Sequence, residues 1–160
     1  MTRQTRSLTA AASLLAACAI IAVGAGAVGA KGKGRADSGT TYAAITHIVG
    51  KTQIAAGNTT DKVLGKGAVT FALTLGTGSK PGTIVAKGTV VVYTSTGSLS
   101  GSDSVDITPT STGELVFTNG KLNLSKGSGG QKGHSFVGTF TGTGKTASGP
   151  FVFHEKGTYR

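Results

Sequence analysis

Apolar side chains recur at every second position along most of the chain, and this spacing is typical of strands rather than helices. The clearest case is the stretch from Ala68 to Leu75, where one face carries Val69, Phe71, Leu73 and Leu75. Successive side chains of a strand point to opposite faces, so these four share one side of a sheet. Helical spacing of apolar residues is absent after residue 40. The sequence therefore predicts an all-β domain.

Turn residues separate the alternating stretches at short intervals, as in a β-sandwich or a β-barrel. Further strands are predicted at residues 42–49, 83–94, 98–108, 115–117, 121–124, 135–141 and 151–159, and residues 62–64 could begin another. Asn119-Gly120 is a strong hairpin signal, so we expect a tight turn between the two short strands that flank it.

We favour a barrel over a sandwich because glycines interrupt two of the predicted strands. Gly88 and Gly138 lie mid-strand, where a small barrel has to bend and coil. A closed barrel also leaves no exposed strand edge, which protects a chain rich in valine and threonine from edge pairing. The predicted fold is an antiparallel up-and-down β-barrel of about eight strands, preceded by an N-terminal signal helix.

The first 30 residues have the three parts of a secretory signal peptide. Arg3 and Arg6 form a basic start, an apolar run follows from Leu8, and the run ends on small residues at Gly29-Ala30. We therefore expect export and cleavage near Ala30, which leaves a protein that is secreted or held in the cell envelope.

Two alternatives to this cleavage stay open. Residues 15–18 (LAAC) resemble a bacterial lipobox, in which Cys18 becomes the lipidated first residue of the mature chain. The apolar run is also long enough to remain as an anchor, since about 20 apolar residues cross a bilayer. Because Cys18 is the only cysteine, cleavage after Ala30 leaves a chain without disulfides, cysteine nucleophiles or cysteine metal ligands.

A change of composition after Thr40 sets the predicted domain boundaries. Residues 31–40 are rich in glycine and charge and show no apolar periodicity, so we interpret them as a flexible basic linker. The linker joins the signal peptide at residues 1–30 to the barrel domain at residues 41–160.

The charge of the chain points to anionic surfaces rather than to nucleic acid. The formal net charge is +10, and it is +8 once the leader is removed with Arg3 and Arg6. A basic exported protein is attracted to anionic cell-wall polymers and lipid head groups. The lysines are scattered singly, without the basic stripe and interleaved aromatic residues of a nucleic-acid-binding face. We therefore expect no nucleic-acid partner.

The stretch GTGKT at residues 142–146 looks like a phosphate-binding loop but fails its pattern. The pattern G-x-x-x-x-G-K-[ST] would require a glycine at position 139, where the chain has Thr139. The residues that follow, ASGP at 147–150, do not begin the helix whose amides bind phosphate. We interpret the stretch as a hairpin turn and expect no nucleotide or other cofactor.

The side chains that commonly carry catalysis do not form a recognisable set. The serines lie in turns, and no G-x-S-x-G nucleophile motif occurs. No two histidines share the spacing of a metal site, so we expect no metal and interpret all three as solvent-facing or hydrogen-bonded. These histidines are His47, His134 and His154. We lean towards a protein that is not an enzyme.

Among the carboxylates, Glu155 is the one candidate for a catalytic role. If Phe151 and Phe153 face the core, alternation turns Glu155 inward as well. The plainer interpretation is a partly solvated carboxylate at the rim of the barrel. Asp103 and Asp106 fall on opposite faces of one predicted strand, so they cannot share a proton.

The C-terminal part of the chain resembles a known superfamily, that of allene oxide cyclases and dirigent proteins. Residues 119–144 followed by 151–160 are similar to two strands joined by the turn G-G-T-G-x-[YF]-x-G-A-x-G. The residues that fit this turn are Gly127, Ser128, Gly129 and Gly133; those that depart from it are Gln131, His134 and Phe136. The resemblance extends over roughly residues 65–160 and implies an eight-stranded antiparallel barrel with an apolar interior. It assigns no catalytic residue to this chain.

Whether the interior of the barrel is filled or hollow distinguishes a purely structural core from a ligand-binding site. A small barrel is either filled by its own side chains or holds one ligand. The candidate ligand-binding residues are Phe71, Phe136, Phe140, Phe151 and Phe153, although aromatic residues at strand spacing usually form core, which is the favoured interpretation. We expect an apolar small molecule or the anionic envelope as the partner. The alternative is a cyclase or isomerase that confines an apolar substrate in the barrel.

Overall fold

A computed structural model describes residues 33–160 as an all-β, closed antiparallel barrel of eight strands, which confirms the predicted fold class. The strands are β1 (Arg35–Val49), β2 (Thr52–Asp61), β3 (Gly65–Thr77), β4 (Ile84–Tyr93), β5 (Gly97–Pro109), β6 (Leu115–Gly129), β7 (Phe136–Gly144) and β8 (Phe151–Tyr159). Each pairs with its neighbours in sequence, and β8 pairs with β1. The predicted signal peptide, with its helix and Cys18, lies outside the described residues.

The barrel closes through a continuous ladder between β1 and β8, from Arg35 opposite Tyr159 to Ala43 opposite Phe151. Alternate side chains of every strand point inward because the pleat turns successive residues to opposite faces. The buried apolar side chains form one cluster inside the barrel. Among the described residues, none forms a helix that could cross a membrane.

The linker expected at residues 31–40 is too long, because β1 already begins at Arg35 and pairs with β8 from there. Two contacts that cannot be read from composition favour a strand at residues 35–40. The Asp37 carboxylate accepts backbone hydrogen bonds inside the barrel. Gly39 leaves space for the neighbouring Glu155, whose Oε1 lies 2.6 Å from the place a Cβ would take. The barrel therefore starts at residue 35 rather than 41.

The hairpin predicted at Asn119-Gly120 is wrong, since β6 runs without a break through this position. The two residues form a β-bulge, where the pairing of β6 with β7 shifts register between Phe117 and Gly120. Asn119 has a φ of 54°, and a left-handed residue of this kind suits a bulge as well as a turn. Its Nδ2 donates a hydrogen bond to Oδ2 of Asp106 at 2.9 Å, which ties the bulge to β5.

Strand β2 has no counterpart in the sequence prediction because its inward side chains are small or polar. They are Gln53, Ala55, Thr59 and Asp61, with Gly57 among them on the same face. The strand ends where Oδ1 of Asp61 accepts hydrogen bonds from the amides of Val63 and Leu64, each at 2.8 Å. A carboxylate that binds the backbone two and three residues on makes a turn, so residues 62–64 do not begin a strand.

The two ends of the barrel differ. We call the end formed by the turns after β1, β3, β5 and β7 the mouth end, and the other the closed end. At the closed end, the Tyr159 hydroxyl donates to Oε1 of Gln131 at 2.9 Å, and Nε2 of Gln131 donates to Oγ1 of Thr96 at 3.1 Å. The His134 ring stacks on Tyr159 with 5.0 Å between centroids. These contacts cover the closed end with polar and aromatic side chains.

Candidate functional site

A cavity of about 350 Å³ occupies the mouth end of the barrel interior, and every strand contributes to its wall. Most of the wall is aliphatic or aromatic; among the aliphatic side chains are Ile45, Leu73, Leu75, Ile84, Val105 and Ile107. Pro109, Gly113 and Ala147 line the cavity and are exposed at the mouth end, so the cavity reaches solvent there. Ligand pockets usually measure about 300–1,000 Å³, so this volume suits one small molecule.

Phenylalanine rings form the inner wall of the cavity, with Phe153 at their centre. Its ring centroid lies 5.0 Å from that of Phe117 and 5.5 Å from that of Phe140, both edge-to-face. Phe71 lies 6.2 Å away on another side. A Cβ at Gly142 would lie 2.6 Å from the Phe153 ring, so glycine at that position gives the ring its place. The rings pack on one another and on the backbone, and the cavity remains beside them.

Four of the five predicted ligand-binding phenylalanines line this cavity: Phe71, Phe140, Phe151 and Phe153. The fifth, Phe136, lies further in, against a space of about 20 Å³ that it shares with Leu124 and Val90. Phe71, Phe140 and Phe151 are buried, and the partly buried Phe153 packs against the core. These four rings therefore belong to the core and to the cavity wall at once.

Glu155 lies midway along β8 and points into the barrel, where it lines the cavity. The Thr41 hydroxyl donates to Oγ1 of Thr59 at 2.9 Å, and the Thr59 hydroxyl donates to Oε1 of Glu155 at 3.2 Å. Burial raises the pKa of Glu155, the charge of Asp61 raises it further, and the two threonine hydroxyls oppose the rise. The raised pKa means that Glu155 ionises at a higher pH than an exposed glutamate.

Asp103 is the second carboxyl group of the cavity wall, and it is only 4% exposed. It points inward from β5 between Gly88 of β4 and Leu122 of β6. Its Oδ1 has no hydrogen-bond partner among the described residues. Burial alone raises the pKa of Asp103 from 3.8 to about 7. The cavity wall thus contains a carboxyl group that nothing in the described part of the chain compensates.

A third carboxyl site lies nearer the closed end, where Asp37 and Asp61 are in hydrogen-bond contact. Burial raises the pKa of Asp37, and so do the hydrogen bond and the charge of Asp61; the amides of Ser38 and Val63 oppose the rise. Within residues 33–160, no three histidine, cysteine, aspartate or glutamate side chains come together as a metal site.

The other residues considered from the sequence lie away from the cavity. His47 and His154 are exposed, and Nδ1 of His154 lies 3.3 Å from the hydroxyl of Thr40. Nδ1 of His134 lies 3.1 Å from the Arg160 carbonyl oxygen. The GTGKT stretch is the end of β7 and the start of the turn to β8, with no helix after it. It is a hairpin turn, as predicted.

Sequence reasoning missed Asp103 as a site residue, although a signal was present. It correctly placed Asp103 and Asp106 on opposite faces of one strand; the structure buries Asp103 and leaves the Asp106 carboxylate to bind Asn119 outside the barrel. Asp103 shares its face with Val105 and Ile107, which line the cavity. Because apolar residues of a strand mark its inner face, the apolar pair Val105 and Ile107 indicates that Asp103, and not Asp106, faces inward.

Comparison of the whole chain with protein-family models, with curated proteins and with solved structures finds no significant match.

Proposed function

We propose that this chain is an exported β-barrel protein that binds one apolar small molecule in its mouth-end cavity. The observation that carries the proposal is the cavity itself: about 350 Å³, walled largely by aliphatic and phenylalanine side chains and open to solvent at one end. Burying apolar ligand surface against such a wall contributes roughly 25 cal/mol per Å². Stability alone would be better served by side chains that fill the space, because buried cavities destabilise a core.

Native mass spectrometry of the protein purified from its source tests both halves of this proposal. We expect a mature chain that begins near Lys31, accompanied by a small molecule that is released when the protein unfolds. A chain that keeps residues 1–30 contradicts cleavage of the leader. A protein that is empty in repeated preparations contradicts a stored ligand.

Binding to the cavity is distinguished from binding to the outer surface by a variant of its opening. Ala147 lines the cavity and is exposed at the mouth end, so Ala147→Phe should narrow the entrance without entering the core. Ser79→Phe places the same ring on another exposed turn of the same end and serves as the matched control. We expect slower uptake of the neutral fluorophore naphthylethanol by Ala147→Phe only. Equal uptake by both variants contradicts a ligand inside the barrel.

A second candidate function, cyclisation or isomerisation of an apolar substrate, is favoured by the two carboxyl groups in the cavity wall. Asp103 and Glu155 both have raised pKa values because they are buried, and a carboxyl group that keeps its proton near neutral pH can act as a general acid. The test is incubation with an apolar epoxide, followed by chromatography of the products. We expect wild type to form a rearranged product that Glu155→Gln forms more slowly. Equal rates for both proteins and for buffer contradict catalysis.

A further inference from the structure

Charge is divided between the two faces of the barrel wall. Every lysine and arginine from residue 33 onward is exposed. Four carboxyl groups lie on the inner side: Asp37, Asp61, Asp103 and Glu155. The interior is therefore acidic and the exterior basic.

Among the inward carboxyl groups, Asp103 is the one in the cavity wall that has an oxygen without a hydrogen-bond partner among the described residues. Its side chain is 4% exposed, lines the mouth-end cavity, and has an Oδ1 without a partner among the described residues. A buried polar group without a hydrogen bond costs free energy, and an unpaired carboxylate costs more. The neighbouring inward positions, Gly88 on β4 and Leu122 on β6, offer neither a donor nor a positive charge. Because Asp103 lines the cavity, a group bound in the cavity is the partner within reach of its carboxyl group.

We propose that the cavity selects a ligand with an apolar body and a protonated amine, and that Asp103 binds the ammonium group. This inference rests on the proposed binding function and names its ligand class. An ammonium group brings three donors and a positive charge, so it supplies both things that Asp103 lacks. The aliphatic and phenylalanine walls then contact the body of the ligand.

The wall of the mouth-end cavity disfavours apolar ligands that carry a negative charge, such as fatty acids. A fatty acid or another apolar anion would place its negative charge in a cavity lined by Asp103, which is itself ionised above about pH 7. Like charges at close range in a poorly solvated space repel strongly. A neutral alcohol satisfies one hydrogen bond and gains no charge pairing. We therefore expect the order of affinity to be amine, then alcohol, then carboxylate.

Three probes of matched shape test this order: naphthylethylamine, naphthylethanol and naphthylacetate. The chain contains no tryptophan, so naphthalene fluorescence reports binding with little background. The measurement uses the mature protein at about pH 8, above the pKa of Asp103. We expect the amine to bind at least about tenfold more tightly than the alcohol, as is typical of a hydrogen bond between charged groups.

Substitutions then assign the preference to one residue. Asp103→Asn keeps the shape of the side chain and removes its charge, so we expect the advantage of the amine over naphthylethanol, measured in the same variant, to fall to about twofold or less. Asp106→Asn is the matched control outside the barrel and should keep the preference, and Glu155→Gln tests whether the other carboxyl group of the cavity wall carries it instead. A wild-type protein that binds alcohol and amine equally overturns the inference and leaves the proposed function standing. Loss of the preference in Glu155→Gln but not in Asp103→Asn overturns the assignment to Asp103. Binding of none of the probes overturns both the inference and the proposed function.

Discussion

The carboxyl group of Asp103 is buried, and its Oδ1 has no hydrogen-bond partner within residues 33–160. It should make the protein less stable as the pH rises towards neutrality. The pKa of Asp103 rises from 3.8 to about 7 because burial disfavours its charged form. Each pH unit between these values is worth about 1.4 kcal/mol. Over roughly three units the effect is about 4 kcal/mol, a large part of the 5–15 kcal/mol by which domains are typically stable.

The sign follows from the two protonation states. Below about pH 4 the carboxyl group is protonated in both the folded and the unfolded chain, so the full stability is present. As the pH rises, the unfolded chain releases the proton near 3.8, whereas the folded chain keeps it until about 7. Ionisation therefore favours the unfolded state throughout this interval, and the free energy of unfolding falls until it levels off above about pH 7.

Asp103→Asn removes this effect while keeping the size of the side chain. Urea unfolding of the ligand-free protein and of the variant, at a series of pH values from about 4 to 8, should give nearly equal stabilities at the acidic end. Near pH 8 we expect the variant to be more stable by about 4 kcal/mol. Glu155 and Asp37 also have raised pKa values, but their effects occur in both proteins and cancel in the difference.

Asp106→Asn is the control for the chemical change itself. Asp106 lies on the outer face of the same strand, where its carboxylate accepts a hydrogen bond from Asn119, and an asparagine oxygen can accept the same bond. We expect little change at any pH. A difference between Asp103→Asn and the parent that is independent of pH would refute the reasoning, because it would mean that the carboxylate is compensated inside the barrel.

Three further predictions concern the core, the closure of the barrel and its outer surface. Phe153→Ala removes the central ring of the phenylalanine cluster, so urea unfolding should show a loss of about 3–5 kcal/mol; no loss would mean that the ring is not packed. Gly39→Ala puts a Cβ 2.6 Å from Oε1 of Glu155 and 2.8 Å from the Thr60 carbonyl oxygen, and should lower the same free energy by about 1–3 kcal/mol; an unchanged midpoint would contradict this crowding. The mature protein should sediment with isolated cell walls and be released as salt rises, since its lysines are exposed; salt-independent absence from the pellet would contradict envelope binding.

The fold was predictable from the sequence because most strands carry an uninterrupted alternation. In the central part of β3 and at the start of β8 the inward residues are large and apolar, for example Phe71 and Phe153, so a period of two is visible without a structure. β2 lacks such residues, since its inward side chains are small or polar and depend on the neighbouring strands for burial. Asn119-Gly120 was misassigned because a left-handed residue serves a turn and a bulge equally well. Only the pairing with β7 decides between them.

The candidate site was predictable in part, by the same alternation. It turns Glu155 inward together with Phe153. The presence of a cavity could not be predicted, because it depends on how the phenylalanine rings pack, and glycines such as Gly142 allow them to lie close to the wall. The hydrogen bond from Thr59 to Glu155 could not be predicted either. It forms because β1 pairs with both β2 and β8, which brings together residues far apart in the chain.

The position of Asp103 links the stability of the barrel to what the cavity holds. A chain folded for stability alone could place an apolar side chain there, as it does at Val105 two residues further along the same face. Natural proteins depart from this rule mainly at functional sites. A ligand that binds only the folded protein stabilises it by about 2.7 kcal/mol at a concentration of 100 times its Kd. A cationic ligand would also remove the ionisation penalty at Asp103. Its stabilising effect should therefore grow as the pH rises through about 7, whereas that of a neutral ligand of the same shape should not.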